Sequence, residues 1–305
     1  MGGTRTDSAA WAGYSSATRS KTDRDYHATA AKPDMTPTAF VTRESTKSEA
    51  NPNPTPVIVG LDVSGSMGIV VEACRKGLGT LFIEILDRDP VSDPHVMALA
   101  VGDMDYDRYP IQATQFEADP VTIGKQVEEL YLERGGGGNH HESYLGPVYL
   151  AAMRTKCDAI QQGRKGFLFT IGDEQPQMLL TKAQVKKFFG DDIERDYTAQ
   201  ELYELAGRDW EIYHLMIEEG SHMRTYYHDD VVREWTDLLG QRAIPVADHT
   251  KISEIIISIL ELSAGKDKDA VIGSWTGDTS LVVAKAVSGL PAKSGDAAAD
   301  APVAL

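Results

Sequence analysis

The sequence predicts an α/β fold with a doubly wound, mostly parallel central sheet and one antiparallel edge strand. Apolar runs of strand length alternate with segments of helical period between residues 56 and 262, and such alternation is typical of parallel sheets with helices on both faces. Two of the predicted strands, residues 96–101 and 111–116, are joined only by the acidic loop 102–110. A connection this short predicts a hairpin, which places the antiparallel strand at an edge of the sheet.

The individual elements follow from hydrophobic periodicity. The first strand, residues 56–61, is a continuous apolar run, which is typical of a strand buried on both faces. An apolar stripe at spacings of three and four follows over residues 70–85 and predicts the first helix. The same rules predict further strands at residues 166–171, 211–217 and 243–246, and further helices at residues 121–132, 144–153, 231–239 and 252–262.

The two ends of the chain differ in composition from the middle. Residues 1–55 lack a sustained period and close in a proline-rich stretch, which predicts an extended or disordered arm. Four aromatic side chains in this arm could anchor it in a groove, namely Trp11, Tyr14, Tyr26 and Phe40. Residues 264–305 form a C-terminal extension that we expect to be mobile from about residue 288.

The middle of the chain, residues 56–263, forms the predicted α/β domain. Within it, residues 175–209 are too long for a simple crossover and carry helical patterns at 183–189 and 199–206. One interpretation is a helical insertion beside the functional site. The alternative is an ordinary crossover helix with a long polar loop.

Composition argues against several classes of protein. The hydrophobic share of 42% and the charged share of 25% are ordinary for a globular protein. The net charge of −16 would repel phosphate backbones, so we expect no nucleic-acid partner. The longest apolar run, residues 255–260, is too short to cross a bilayer, so we expect no membrane span. Two cysteines without a paired motif fit a reducing compartment.

The turn at residues 62–66 is the most informative segment for function. Asp62, Ser64 and Ser66 offer a carboxylate and two hydroxyls directly after the first predicted strand. In an open α/β sheet, ligands bind beyond the carboxyl ends of the strands, and Gly65 allows a sharp turn there. Carboxylate and hydroxyl oxygens are ligands of hard cations such as Mg²⁺, Mn²⁺ or Ca²⁺, whereas a zinc site is expected to contain thiolates or imidazoles.

Two other segments are predicted to converge with this turn. Asp173 and Glu174 follow the strand at residues 166–171, so they add carboxylates at the carboxyl end of a second strand. The glycine-rich loop 135–143 lies between the two strands in sequence and carries side-chain oxygens just before a helix. Three separate loops would therefore bring oxygens to one point.

The pattern of the three loops resembles the von Willebrand factor A domain and its metal-ion-dependent adhesion site. That site combines D-x-S-x-S, a Thr in a second loop and an Asp after a later strand. The first motif is matched in full, and the resemblance implies that Asp62, Ser64 and Ser66 surround the ion. Asp173 would take the place of the later Asp, although the familiar T-D-G order is replaced here by T-I-G-D.

The Thr of the second loop is absent. Counted back from the helix that follows, Glu142 falls at its position, and Ser143 and Asn139 are the alternatives. A carboxylate there would hold the cation more tightly but would lower its affinity for an acidic residue of a partner. If Ser143 coordinated instead, the usual partner chemistry would return.

The resemblance covers residues 56–262 and implies cation-dependent protein binding without catalysis. A partner's acidic or carbonyl oxygen would complete the shell of the metal. Residues 42–45 and 56–67 look like stand-alone von Willebrand A proteins of bacteria and bacteriophages, which implies a cytoplasmic or virion setting. Members of the family often serve multiprotein assemblies, including ones with ring ATPases. A structural or scaffold protein with a vestigial metal site is the alternative.

A Mg²⁺-dependent phosphatase of the haloacid-dehalogenase type is a second alternative. Such enzymes also place an Asp after the first strand and a Gly-Asp after a later one, around the metal. They require a second Asp as general acid, but Ser64 occupies that position. They also require a carboxylate after the Gly-Asp pair, but Gln177 stands there.

Two further clusters contain residue types that bind metals. His140 and His141 are adjacent, and adjacent side chains usually point apart, so exposed loop histidines are the favoured interpretation over zinc ligands. The loop at residues 103–107 reads D-x-D-x-D but lacks the Gly and Glu that a calcium-binding EF-hand needs, which favours a solvated acidic turn. Asp103 could still contact the metal ligands from outside.

Overall fold

A six-stranded sheet organises the part of the chain that the computed structural model describes, which comprises residues 30–67, 88–132 and 139–291 together with residues 13, 16, 28, 81 and 85. The strands are β1 Arg43–Ser45, β2 Thr55–Asp62, β3 Pro94–Val101, β4 Ile111–Ala113, β5 His141–Glu142, β6 Thr155–Cys157, β7 Gly166–Gly172, β8 Gln175–Pro176, β9 Leu179–Leu180, β10 Tyr197–Thr198, β11 Trp210–Ile217 and β12 Ala243–Val246. In the main sheet their order is β12-β11-β7-β2-β3-β4.

The strand directions confirm the predicted fold class. β2 pairs in parallel with β3 and β7, β7 with β11, and β11 with β12. Only β4 is antiparallel, and it forms an edge of the sheet beside β3. All eight residues of β2 are buried, because a central parallel strand is covered on both faces.

Helices cover both faces of the sheet. They are α1 Pro120–Glu128, α2 Leu145–Met153, α3 Asp158–Gln161, α4 Lys182–Phe189, α5 Ala199–Gly207, α6 His228–Leu239, α7 Ile252–Ser263, α8 Lys268–Gly273 and α9 Asp278–Val287. Val57 and Val59 of β2 belong to the apolar layer that contains α1, α7, α8 and α9. Ile58 belongs to the opposite layer, which contains α2, α4, α5 and α6. Successive side chains of β2 therefore pack against different helices.

The first predicted helix lies mostly outside the described residues. Leu81 and Ile85 are described, and both are helical and buried in the same layer as α7. The glycines at 135–138 also lie outside the described residues. Among the helices that the structure describes, none is long and apolar enough to cross a membrane.

Residues 175–209 contain two capped helices. Thr181 caps α4 and Thr198 caps α5, each in a reciprocal capping box with the Gln or Glu three residues later. Val185 and Leu202 bury the inner faces of the two helices in the layer that contains α2. The segment also forms short ladders, since β9 pairs with β10 and β8 pairs in parallel with β5.

Both flanking regions contact the domain in their described parts. β1 pairs in parallel with β6, and the buried Arg43 donates from Nη2 to the carbonyl oxygen of Ala113 at 2.9 Å. At the other end, Val271, Val283 and Val287 of α8 and α9 are buried against the sheet. Three of the four candidate anchors in the arm, Trp11, Tyr14 and Tyr26, lie outside the described residues.

Candidate metal centre

The carboxyl ends of β2 and β7 lie side by side and hold the first two groups of site residues. Leu61 of β2 is in register with Ile171 of β7. Asp62 and Asp173 follow these two positions directly or closely, so both leave the sheet at the same edge. This is the edge at which parallel α/β sheets bind their ligands.

The turn at residues 62–66 is bound to the β7 loop through hydroxyl groups. Asp62 Oδ1 accepts from the backbone N–H of Ser64 at 2.8 Å, which folds the turn back on its own carboxylate. The Ser64 and Ser66 Oγ atoms are 2.9 Å apart, and Ser66 Oγ donates to Asp173 Oδ1 at 2.7 Å. Four predicted site residues are thus connected through one chain of short contacts.

The remaining oxygens of the two aspartates have partners that sequence reasoning missed. Tyr144 Oη donates to Asp62 Oδ2 at 2.8 Å, and the backbone N–H of His222 donates to Asp173 Oδ2 at 2.9 Å. Gly220 permits this second contact, because a Cβ atom at residue 220 would lie 2.3 Å from Asp173 Oδ2. Tyr144 is the first residue of the predicted helix 144–153 and directly follows the predicted loop, but nothing in the sequence relates its hydroxyl to Asp62. The His222 contact uses only the backbone, so no side-chain signal marks it.

Glu142, in the second of the three loops, has an unpaired oxygen. It is 3% exposed, and its Oε2 has no hydrogen-bond partner among the described residues. The two alternatives are engaged elsewhere, since Ser143 Oγ accepts from the backbone N–H of Met104 at 2.8 Å and Asn139 Nδ2 donates to Asp103 Oδ2 at 2.5 Å. Of the three candidates for the second-loop position, Glu142 is therefore the one with an oxygen free to bind a metal ion.

Four buried carboxylates meet at this edge, namely Asp62, Glu142, Asp173 and Glu174. Burial is the main cause that raises the pKa of each, and the negative charge of Asp62 further raises the pKa of Glu142 and that of Glu174, the latter to about 8. Within the described residues, none of the four forms a salt bridge with Lys or Arg. Buried carboxylates are either protonated or paired with a positive charge, and oxygen atoms in this number fit a hard divalent cation.

The acidic loop and His140 have local partners. Asp103 Oδ1 accepts from the backbone N–H of Asp105, and Asp107 Oδ2 accepts from that of Asp103, so the acidic loop caps itself. The charge of Asp103 also contributes to the raised pKa of Glu142. His140 is exposed, and its Nε2 lies 2.9 Å from the hydroxyl of Tyr227. His141 differs from the prediction of an exposed loop histidine, because it is half-buried and its Nδ1 has no partner among the described residues.

A separate group of possible ligands lies outside the predicted centre. Glu219, Asp248 and His249 place one ligand atom each within 4.8 Å of one another. Glu219 Oε2 accepts from the backbone N–H of His249 at 2.7 Å and also contacts its ring. Asp248 Oδ1 accepts from Thr250 instead. These contacts account for the group as a capped turn.

Comparisons with known proteins give only remote similarities. No protein-family model matches the chain, and no curated protein sequence does. The pilus adhesin SpaC from Lactobacillus rhamnosus GG is 13% identical, with a TM-score of 0.47, over 76% of this chain and 31% of the adhesin. Proximal thread matrix protein 1 from the mussel byssus, solved with a zinc-occupied MIDAS motif, is 11% identical, with a TM-score of 0.43, over 70% of this chain and 48% of that protein.

A third similar structure is BatB from Bacteroides thetaiotaomicron, which is 17% identical, with a TM-score of 0.31, over 53% of this chain and 66% of that chain. This chain spans about a third of the length of the adhesin and about half of the byssus protein. At these identities and TM-scores, none of the similarities bears on function. The metal centre is inferred from the geometry of this chain alone.

Proposed function

We propose that this protein is a divalent-cation-dependent protein-interaction module of the von Willebrand A type. Asp62, Ser64, Ser66, Glu142 and Asp173 would hold the cation. The observation that carries the proposal is the direct contact between the turn at residues 62–66 and the loop after β7, in which Ser66 Oγ lies 2.7 Å from Asp173 Oδ1. The buried Glu142 Oε2 has no partner among the described residues, which supports its inclusion among the ligands.

The donor set favours Mg²⁺, Mn²⁺ or Ca²⁺ as the resident ion, because every proposed ligand is an oxygen. When bound, the ion would supply a coordination position for an acidic or carbonyl oxygen of a partner protein. The residues of this chain hold that position in place: Tyr144 orients Asp62, and the His222 backbone orients Asp173. Hydrogen bonds from outside the ligand set commonly fix ligands in this way.

The interaction role extends to the rest of the chain. Residues 56–263 would form the interaction domain, with residues 175–209 as an insertion beside the site and with flanking regions at residues 1–55 and 264–305. A stand-alone protein of a bacterium or bacteriophage, acting in the cytoplasm or on a virion within a larger assembly such as one with a ring ATPase, would suit this design. A catalytic role is not part of the proposal, because Ser64 offers no general acid next to Asp62.

Cation binding by the whole chain is the first test. We expect Mn²⁺ to bind at one site by calorimetry and by the loss of free Mn²⁺ signal in electron paramagnetic resonance. Asp62→Asn and Asp173→Asn should each weaken binding at least about tenfold, since even residues outside the ligand set contribute on that scale. Asp237→Asn, which removes an exposed carboxylate from α6, should leave the affinity unchanged. Absence of Mn²⁺ binding by the wild-type chain would overturn the proposal.

Capture of a partner with and without chelator separates the competing functions. An interaction module should retain its partner in Mg²⁺ and release it in EDTA. Its Asp173→Ala variant should not capture the partner at all. A scaffold with a vestigial site would hold its neighbours equally well in EDTA. A phosphatase would turn over p-nitrophenyl phosphate in Mg²⁺ and lose that activity as Asp62→Ala.

A further inference from the structure

A groove of about 690 Å³ opens beside the proposed metal centre. One wall is α4 of the insertion, and another is the segment from Gln175 to Leu179 that precedes it. Met104 and Asp105, in the loop after β3, line the opposite side. The groove is thus built largely by residues 175–209 and not by the strands of the main sheet.

The groove lies next to the buried carboxylate cluster along the chain. His141 and Gln175 line the groove and are paired with each other in the β5–β8 ladder. Their neighbours in sequence, Glu142 and Glu174, belong to the buried carboxylate cluster. A partner segment with one side chain at the cation would therefore have its neighbouring residues close to the groove.

A buried acceptor in the groove has no donor. Gln177 is 4% exposed, and its Nε2 donates to Gln184 Oε1 at 3.3 Å. Gln184 is itself fixed, because its Nε2 donates to Asp105 Oδ1 at 2.9 Å and its Oε1 accepts from the backbone N–H of Thr181. This network leaves Gln177 Oε1 without a partner among the described residues. Buried acceptors are nearly always paired in native proteins, so an occupant with an N–H group would complete the set.

Apolar side chains lie at the mouth of the same groove. Met178 is 57% exposed and Leu179 is 44% exposed, and both line the groove together with Phe188. Adjacent exposed apolar residues next to a polar site are typical of interaction surfaces, and methionine adapts its shape to varied partners. An apolar side chain of an occupant would cover this part of the groove.

Charge restricts the occupant further. Among the described residues that line the groove, Asp105 and Glu234 are acidic and Lys187 is the one cation. The whole chain carries a net charge of −16. A second acidic residue next to the one at the metal would be repelled. A neutral or basic residue suits the groove better.

We propose that the groove receives an extended segment of a partner protein whose acidic residue lies at the metal centre. An apolar residue of that segment would cover Met178 and Leu179, and an N–H group would donate to Gln177 Oε1. This inference rests on the proposed function, because the acidic residue is held through the cation. It adds that residues 175–209 determine which partner segments bind.

The test is selection of short displayed peptides that contain one fixed Glu among random positions, carried out on the full chain in Mn²⁺. We expect the selected peptides to share an apolar residue at a constant offset from the Glu and to lack further acidic residues. A selected peptide, synthesised with a fluorophore, should bind the double variant Met178→Ser, Leu179→Ser at least about tenfold more weakly, in line with the loss of apolar contact. Leu281→Ser, which removes a 71% exposed leucine from α9, should bind it as the wild type does.

Gln177→Met tests the unpaired acceptor with a side chain of similar shape. A purely structural glutamine would leave peptide affinity unchanged when replaced. We expect weaker peptide binding together with unchanged Mn²⁺ affinity and unchanged or higher thermal stability, because the variant removes an unpaired buried oxygen.

The outcomes separate this inference from the proposed function. Mn²⁺-dependent peptides without a shared apolar position, or unaffected by the groove variants, would overturn the groove inference alone. The same holds if Mn²⁺ binds but no peptide is selected. Failure of the wild-type chain to bind Mn²⁺, or selection of peptides that bind equally in EDTA, would overturn the proposed function.

Discussion

Substitution of Glu142 should change cation affinity and thermal stability in opposite directions. The burial of Glu142 among Asp62, Glu174 and Asp103 raises its pKa, so its charge is costly in the folded chain without a cation. Glu142→Gln keeps the shape and removes the charge. We expect Mn²⁺ affinity to fall by about tenfold or more, while the thermal stability measured in EDTA rises.

When its site is saturated with cation, Glu142→Gln should bind an acidic peptide more tightly than the wild type does. The reason is that one fewer carboxylate neutralises the positive charge of the ion. The control is Glu194→Gln, which neutralises an exposed carboxylate of the insertion. It should change neither cation affinity nor stability. A Glu142→Gln chain with full cation affinity would show that residue 142 is not a ligand.

Residue types at strand ends explain why much of the candidate site was predictable. A carboxylate at the end of a buried strand has few positions available, so the sequence predicts that Asp62, which ends β2, and Asp173, which follows β7, lie close together. The partners of their other oxygens depend on tertiary packing. Tyr144 reaches Asp62 because its ring packs against His214 and Trp235, with centroids at 4.9 and 5.3 Å. No spacing rule relates these residues.

At the scale of elements, hydrophobic periodicity predicted most helices and strands of the sheet to within a few residues, but the predicted strand 111–116 ends at Ala113 and the predicted helix 121–132 ends at Glu128. The predicted strand 243–246 is β12 as observed, and the predicted helix 252–262 differs from α7 by one residue. β1 and β6 escaped prediction, because three-residue strands carry too few alternations to define a period. The short helices α8 and α9 of the C-terminal extension were missed as well.

The contact between the N-terminal segment and β3 makes stability depend on pH. His95 of β3 is 1% exposed, its Nδ1 lies 3.1 Å from Ser45 Oγ of β1, and burial lowers its pKa from 6.5 to about 4. The unfolded chain therefore takes up a proton at a higher pH than the folded chain does. The stabilisation from neutral His95 is present above pH 6.5 and is lost as the pH falls below it.

Urea unfolding at two pH values measures this contribution. When the pH is lowered from about 7 to about 5, the titration of His95 should reduce the free energy of unfolding by about 2 kcal/mol. His95→Gln should reduce the pH dependence by that amount, whereas His228→Gln, at an exposed position, should not change it. Equal pH dependence of the wild type and His95→Gln would contradict the assignment.

At the scale of the whole molecule, the cation should couple three distant loops into one folded unit. A ligand that binds only the folded state at about 100 times its Kd adds about 2.7 kcal/mol to the free energy of unfolding. For a domain of this size, that corresponds to a rise in Tm of about 5–10 °C. Differential scanning calorimetry with Mn²⁺ and then with excess EDTA should show the rise and its reversal. Asp62→Asn should show neither.

Arg154 links the start of the chain to the wall of the groove. Its guanidinium, buried at 7% exposure, donates to the carbonyl oxygens of Pro37 and Phe40 and also to that of Phe189, the last residue of α4. If a protease removed the N-terminal segment, this guanidinium would lose two of its acceptors and would keep only Phe189 and Asp191. Cleavage far from the cation would then loosen the wall of the proposed groove.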